Sequence, residues 1–428
     1  VQRRPWIEPV LFVTAFVGVH ALLWWLAVTV PNQPIGDVTI TYRRWIETGQ
    51  QAHFWVGIDE DWVYPILAIV PMAVAALGGV SSIATGWLLL MVVLDAAACA
   101  LLWRHHTAVG PVRLRAVWWW LLFLLALGPI ALGRIDTVAT ALALAGVAFV
   151  ASRPAVASVL LTAAAWTKVW PAALVGVLVL LRRGHRGAVL GGALVTTALI
   201  VLVDVLYGGA AHLFSFVGEQ GTRALQIEAP LATPFLWAAA AHVPGAAVYY
   251  DHEILTFEVS GAGTHAAAAV STPLMALAVV AAVLLALLAV RRGAARAEAA
   301  PLLALVLVAA LIATNKVGSP QYVGWFAVPI VWGLVAGPGS ARRFLPVAVV
   351  ALPMAFLTQL VYPGYYDQVL TVQPWILVVL TVRNVLEVAL LVWGFVALVR
   401  LGRAGQASRS GASGGSSRSS LERGRMGA

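Results

Sequence analysis

Charge is scarce in this chain. Of its 428 residues 11% are Asp, Glu, Lys or Arg and 61% are hydrophobic, where a soluble domain carries roughly 25% charged residues. No water-solvated globule of this size can hide so much apolar side chain, so lipid must serve as solvent. Cysteine is nearly absent too. The single Cys99 excludes a disulfide within the chain and a metal site built on several thiolates. Lying inside an apolar window, it reads as a small core residue. The histidines of the polar stretches, His53, His212, His242, His252 and His265, are scattered, with no H-x-x-x-H pair, so no dedicated transition-metal site is expected. Lysine is the last scarcity: Lys and Arg total 27, yet Lys168 and Lys316 are the sole lysines.

What the chain does have is a succession of charge-free windows, about a dozen, long enough to approach or cross a bilayer core. That number excludes a cleaved signal peptide as their explanation. The first window follows Arg3 and Arg4 without a small-residue cleavage site and is expected to be a retained helix. The net charge of +9 is not a nucleic-acid footprint, because the arginines sit in short clusters between windows, as the positive-inside rule expects. Taking as cytoplasmic the sets Arg3/Arg4, Arg104/Arg113/Arg115, Arg153, Arg182/Arg183/Arg186, Arg291/Arg292/Arg296, Arg342/Arg343 and Arg400/Arg403 requires an even number of crossings between neighbouring sets. The pairs are 9–30 with 82–103, 116–132 with 136–151, 155–167 with 169–181, 187–206 with 268–290, 300–315 with 323–336, and 344–361 with 375–399. The expected fold is therefore an all-α transmembrane bundle of about twelve crossings, with both termini cytoplasmic.

Residues 65–80, PILAIVPMAVAALGGV, resemble a crossing, but counting them would turn Arg104–Arg115 outward. They are expected to form a re-entrant or interfacial helix. Windows 155–167 and 169–181 are short, near 20 Å each, and suit half-helices meeting below the surface around a cavity. The Ser/Gly/Arg-rich stretch 404–428 cannot bury enough surface to offset ordering entropy and reads as a disordered cytoplasmic tail. Residues 1–403 then form one transmembrane domain, with no repeat of fixed period.

This topology gathers the polar motifs on the external side: PIGDVTITYRRWIETGQ from Pro34, Asp59-Glu60-Asp61 and Tyr64-Pro65, GRID (Gly133–Asp136), TKVWP (Thr167–Pro171), RALQIEAPLATPFLW (Arg223–Trp237), NKVGSPQY (Asn315–Tyr322) and YPGYYDQ from Tyr362. Both lysines fall at external turns, where the positive-inside rule discourages them. Chance placement is the bland explanation; a pair of cations lining an anion cavity is the functional one, since ionisable groups at membrane depth are costly to desolvate. Asp37 has two compatible readings as well. It suits the N-cap of an amphipathic helix, or a general base at a cavity mouth, where partial desolvation raises a carboxyl's pKa. Tyr42, Trp45 and Trp55 fit an interfacial aromatic belt. Trp118–Trp120 and the other tryptophans are assigned to anchoring, not to sugar.

A Gly-Asp after the first membrane helix, a Tyr-Pro later in that loop, an Arg-x-Asp turn, a Lys-x-x-Pro turn, RALQIE and NKVGSPQY, taken in order over residues 9–400, resemble the bacterial GT-C membrane glycosyltransferases. The resemblance is strongest to the actinobacterial polyprenyl-phosphate-mannose-dependent mannosyltransferases. It implies transfer of a hexose, mannose first, from a polyprenyl-phosphate donor to a lipid-linked or cell-envelope glycan acceptor on the external face. The family's catalytic aspartate of the first external loop falls on Asp37. Two departures stand out: no acidic pair adjoins the base (Glu47, Asp59, Glu60 and Asp61 are all candidates), and Ile66 follows Pro65 where a second proline is expected.

The residues suit that chemistry. A departing phosphate needs no general acid, so one carboxylate to deprotonate the acceptor is enough, unlike the carboxylate pair of glycoside hydrolysis. Cations must hold the phosphate; Lys168 and Lys316 rank first, then Arg134 and Arg223. Tyr64, Asp136, Gln226, Glu228, Asn315, Gln321 and Tyr322 are candidate cavity residues. No cofactor is expected; a divalent metal is compatible with the reaction but has no ligand spacing here. Partners are donor, acceptor and membrane lipids, not nucleic acid. The competing reading is a transporter or flippase of lipid-linked sugars, which would call for a midplane cavity and internal repeats.

Overall fold

A computed structural model describes residues 7–105, 112–218 and 223–425. Arg3 and Arg4, the first arginine set, and the last three positions of the tail lie outside the described residues. Every predicted window is helical. Seven helices among the described residues are long and apolar enough to cross a membrane: Ile7–Thr29, Val80–Arg104, Arg183–Leu206, Thr264–Arg291, Arg296–Ala313, Pro338–Gly364 and Pro374–Arg409. Between them run shorter apolar helices, among them Ile135–Phe149, Pro154–Thr167 and Ala172–Leu181. The protein is a multi-pass helical membrane protein.

Burial separates centre from rim. The best window of Arg296–Ala313 is 78% buried, against 11% for Arg183–Leu206 and 17% for Thr264–Arg291, so the latter two turn most of their surface to lipid. At the centre, Ile135–Phe149 is rich in Ala, Thr and Gly and almost wholly buried. Small residues let helix backbones approach where lipid supplies no hydrophobic drive. Polar groups in the apolar interior find each other: His20 and Asp95, both buried, meet at 3.3 Å across the first helix and Val80–Arg104.

The arginine clusters close on one end of the bundle. Arg182 donates to the Val150 carbonyl at 2.7 Å, Arg343 pairs with Glu298 at 2.9 Å, and Arg409 donates to the Arg291 carbonyl at 2.6 Å. The polar turns gather at the other end. Residues 65–80 do not cross. They form a 3-10 turn, Ile66–Ala68, and a seven-residue helix, Ile69–Ala75, together ~15 Å long against a core of ~30 Å. This helix packs beside the start of Ile83–His105, as a short interfacial helix would.

Two expectations change. The last helix continues from Pro374 to Arg425, through most of the stretch whose composition predicts a disordered tail. Extending a helix already nucleated in the bundle avoids a fresh nucleation cost. The aromatic belt around Asp37 is also not one. Tyr42 is fully buried, stacks on Trp45 at 5.7 Å and lies 5.3 Å from Trp87. These rings form a packed floor beneath the first polar loop, because the loop folds back over the helix ends instead of lying out on lipid.

Candidate active site

Three short helices recess the site. Ile135–Phe149, Pro154–Thr167 and Ala172–Leu181 have 15, 14 and 10 residues, rising ~22, ~21 and ~15 Å. Each falls short of a ~30 Å hydrocarbon core. Helices this short suit a recess in which the GRID and TKVWP turns stop below the membrane surface, where charges must be paired or lined by protein.

The first helix ends at Thr29 and the chain turns into a short π-helical segment, Asp37–Tyr42, which runs into Arg43–Ala52. Asp37 is not a cap. The N-cap position is Gly36, without a side-chain cap bond, and the Asp37 carboxylate instead meets Arg134, Oδ2 to Nε 3.1 Å. Arg134 is anchored on every side. Its Nη1 donates to the carbonyls of Pro34 (2.8 Å) and Gly133 (3.1 Å), and its Nη2 donates to the Tyr362 hydroxyl (3.2 Å). That hydroxyl in turn shares its proton between the carbonyls of Asn32 (2.9 Å) and Gln33 (3.2 Å). Gly133 makes the approach feasible, since a Cβ there would collide with the Pro34 carbonyl oxygen. Burial works against the Arg134 charge, but Asp37, with Tyr362 and Tyr42, more than offsets this and raises the guanidinium above its ordinary range. Arg134 thus stays a cation whose donors are already committed. Asp37 keeps 35% of its side-chain surface open, enough for a substrate hydroxyl to reach it.

Lys168 occupies a second pocket. Its Nζ lies 3.7 Å from Asp136 Oδ2, 4.5 Å from the centre of the Tyr64 ring and 5.9 Å from that of Tyr322. Asp136 is buried; its Oδ1 accepts the Trp325 indole N–H at 2.8 Å, while Oδ2 has no hydrogen-bond partner among the described residues. A carboxylate and two phenol faces thus cage this ammonium.

The third group joins RALQIE to NKVGSPQY. Gln226 N–H donates to the Lys316 carbonyl at 3.0 Å. Gly318 permits the contact, because a Cβ on it would overlap the backbone of Glu228 and Ala229. A hairpin, Ala247–Asp251 paired with Thr256–Ser260, buttresses the same loop. Ile227 N–H donates to Phe257 O (3.2 Å) and Val259 N–H to Leu225 O (3.0 Å). Glu258, buried, accepts from Ala224 N–H (2.9 Å) and the Tyr249 hydroxyl (2.8 Å). Burial pulls the Lys316 ammonium below its ordinary range; Glu258 opposes this and Arg223 adds to it. Arg223 Nε is buried without a hydrogen-bond partner among the described residues. Asn315 and Gln321 shape the turn, accepting from Val317 N–H (3.0 Å) and the Ser319 hydroxyl (2.9 Å).

Sequence reading missed a fourth group. Arg383 and Glu387, on the last helix, enclose Glu228, and all three are 3% exposed or less. Arg383 Nη1 lies 3.4 Å from Glu228 Oε2 and 3.6 Å from Glu387 Oε1, and Nη2 donates to the Glu228 carbonyl at 2.9 Å. An Arg and a Glu four apart inside an apolar window were a readable signal. Trp325 and Glu258 carried none, since only packing shows what they touch. Among the described residues no three His, Cys, Asp or Glu side chains converge as metal ligands.

Helices of membrane length with a cluster of carboxylates, cations and phenols at one end define the class: a multi-pass helical membrane protein with a charged recess at one end of its bundle. Residues 62–320 match Glycosyltransferase family 87; the match covers more than half of the chain, which belongs to that family. It is a membrane glycosyltransferase of GT-C type. No curated protein and no solved structure matches it. The matched stretch holds Arg134, Asp136, Lys168, Arg223 and Lys316 but stops short of Asp37 and Tyr362 on either side.

Proposed function

We propose that this protein transfers a hexose, mannose being the sugar the sequence resemblance favours, from a polyprenyl-phosphate donor to a lipid-linked or cell-envelope glycan acceptor. The observation that carries the reading is the Asp37–Arg134 pair: a part-exposed carboxylate oriented at 3.1 Å by a fully anchored cation. Asp37 takes the acceptor proton as the acceptor oxygen bonds to the anomeric carbon. The bond from that carbon to the phosphate oxygen breaks, and polyprenyl phosphate leaves with the electron pair as a stable anion. No second carboxylate is needed for this step.

Of the four cations, Arg134 serves Asp37 and Lys168 serves Asp136. Lys316 and Arg223, near enough for the Arg223 charge to act on the Lys316 ammonium, are assigned to the donor phosphate, where their charge stabilises the leaving group as it develops. Lys168, with Tyr64 and Tyr322, lines the sugar cavity. The arginine clusters at the opposite end support a cytoplasmic assignment for that end by the positive-inside rule, with the site facing outward and both termini cytoplasmic.

The test offers purified protein, in liposomes of extracted membrane lipid, radiolabelled polyprenyl-phosphate mannose, glucose and arabinose in turn. Mannose should move to lipid, with one polyprenyl phosphate released per sugar. Transfer from a nucleotide sugar, with none from any polyprenyl donor, would overturn the proposal.

A further inference from the structure

The hairpin 247–260 is the one sheet among the described residues, and its two faces differ. Side chains alternate across a strand, and the register sets Tyr249 opposite Glu258 and Tyr250 opposite Phe257. The Tyr249–Glu258 face turns to the loop that carries Arg223. The other face begins a row of aromatic rings. Tyr250, 37% exposed, lies 4.9 Å from Phe257, Phe257 6.0 Å from Tyr366, and Tyr366 5.0 Å from Tyr362, edge to face. Tyr362 accepts from Arg134, which holds Asp37. The row therefore runs from solvent to the candidate base.

We infer that this row is the acceptor subsite, and that it takes the sugar ring of a glycan acceptor. The inference rests on the proposed transfer reaction and adds where the acceptor lies. An aromatic ring offers a flat apolar face to the C–H face of a sugar ring and leaves the hydroxyls at its edge free to hydrogen-bond. An acceptor lying along the row has Tyr362, and through it the Arg134–Asp37 pair, at its inner end, while its outer end extends past Phe257 and Tyr250 toward water. Anchoring in the membrane interface does not account for the row. Anchors ring the perimeter, as Tyr365 and Trp375 do, 42% and 49% exposed and 4.8 Å apart. The Tyr250–Tyr362 row instead leads inward to the part-exposed Asp37–Arg134 pair.

Three variants test this: Tyr250→Ala, Phe257→Leu, which keeps apolar bulk but removes the ring, and Tyr365→Ala as the perimeter control. Each is titrated with n-octyl mannoside in a fixed background of a non-sugar detergent, with binding followed by tryptophan fluorescence and folding by thermal melt. Tyr250→Ala and Phe257→Leu should each weaken mannoside binding by about tenfold, the scale of one lost ring contact, with Tyr365→Ala like wild type. Equal weakening in all three would mean an interfacial effect, and wild-type affinity in Phe257→Leu would mean no ring contact; either overturns the inference. Turnover is read separately. Wild-type protein that binds octyl mannoside through this row but transfers no sugar to it or to membrane lipid would count against the proposed reaction, not against the subsite.

Discussion

At the scale of single residues, the site pairs its charges unequally. Asp37 and Arg134 make a directed pair with the carboxylate left partly open, so Asp37→Asn should remove the base while leaving the fold intact. General-base catalysis contributes roughly 10²–10⁴-fold, and a variant that keeps more than about a tenth of wild-type kcat/KM would exclude the role. The two lysines should separate. Lys316→Ala is expected to lower kcat/KM for the polyprenyl-phosphate donor by at least about tenfold, ~1.4 kcal/mol, with acceptor KM little changed. Lys168→Ala should instead show in stability, because it strands the buried Asp136 carboxylate without its cation. The melting temperature should fall, and Lys168→Ala/Asp136→Asn should recover part of the loss. Equal loss of donor kcat/KM in both single variants, with no change in melting, would return Lys168 to the phosphate site.

Between elements, the buried Glu228–Arg383–Glu387 group fastens the RALQIE loop to the last helix. Burial raises the Glu228 carboxyl to about 7, against the pull of Arg383 and with help from Glu387. Its ordinary value is near 4.5. A carboxyl raised on folding binds its proton more tightly in the folded state, so its contribution is complete below about pH 4.5 and is lost as pH rises through about 7. Wild-type melting temperature should therefore decline between pH 5 and 8, and Glu228→Gln, which cannot ionise, should flatten that slope. An unchanged slope in Glu228→Gln would assign the pH dependence elsewhere. Tyr362, Tyr366 and Arg134 also act on this neighbourhood, so the comparison is of slopes and not of absolute stability.

For the whole molecule, the arrangement of ends makes a prediction about sides. In a Cys99→Ala background, Arg153→Cys should resist an impermeant thiol reagent in intact cells, while Asp59→Cys should react. Both positions are exposed, so accessibility within the protein does not confound the comparison. Ready labelling at Arg153 from outside would invert the topology and place the site in the cytoplasm. The short central helices give the same scale its functional point. Three of them stop ~8 to ~15 Å short of a full crossing, and a recess of that depth suits the lipid-linked phosphate donor proposed above.

Composition and arginine placement alone determined the helices, their pairing into two ends and the gathering of the polar turns, because hydropathy and charge in a bilayer act on each segment separately. The short helices, the shortness of the helix within 65–80 and the lysines' position in the polar turns were legible for the same reason. The tertiary structure decided which partner each charge takes. That Asp37 meets Arg134 instead of capping its own helix, that Asp136 meets Lys168, and that Glu228 meets Arg383 each join residues about a hundred, about thirty and about a hundred and fifty positions apart. Local propensity ranks Asp37 as a cap, but the collision that Gly133 avoids at Pro34, the Tyr362 clamp and the register of the hairpin arise only when distant turns close over one another. In a low-dielectric recess a charge takes whichever counter-charge that closure brings within reach, and no local pattern in the sequence specifies which one.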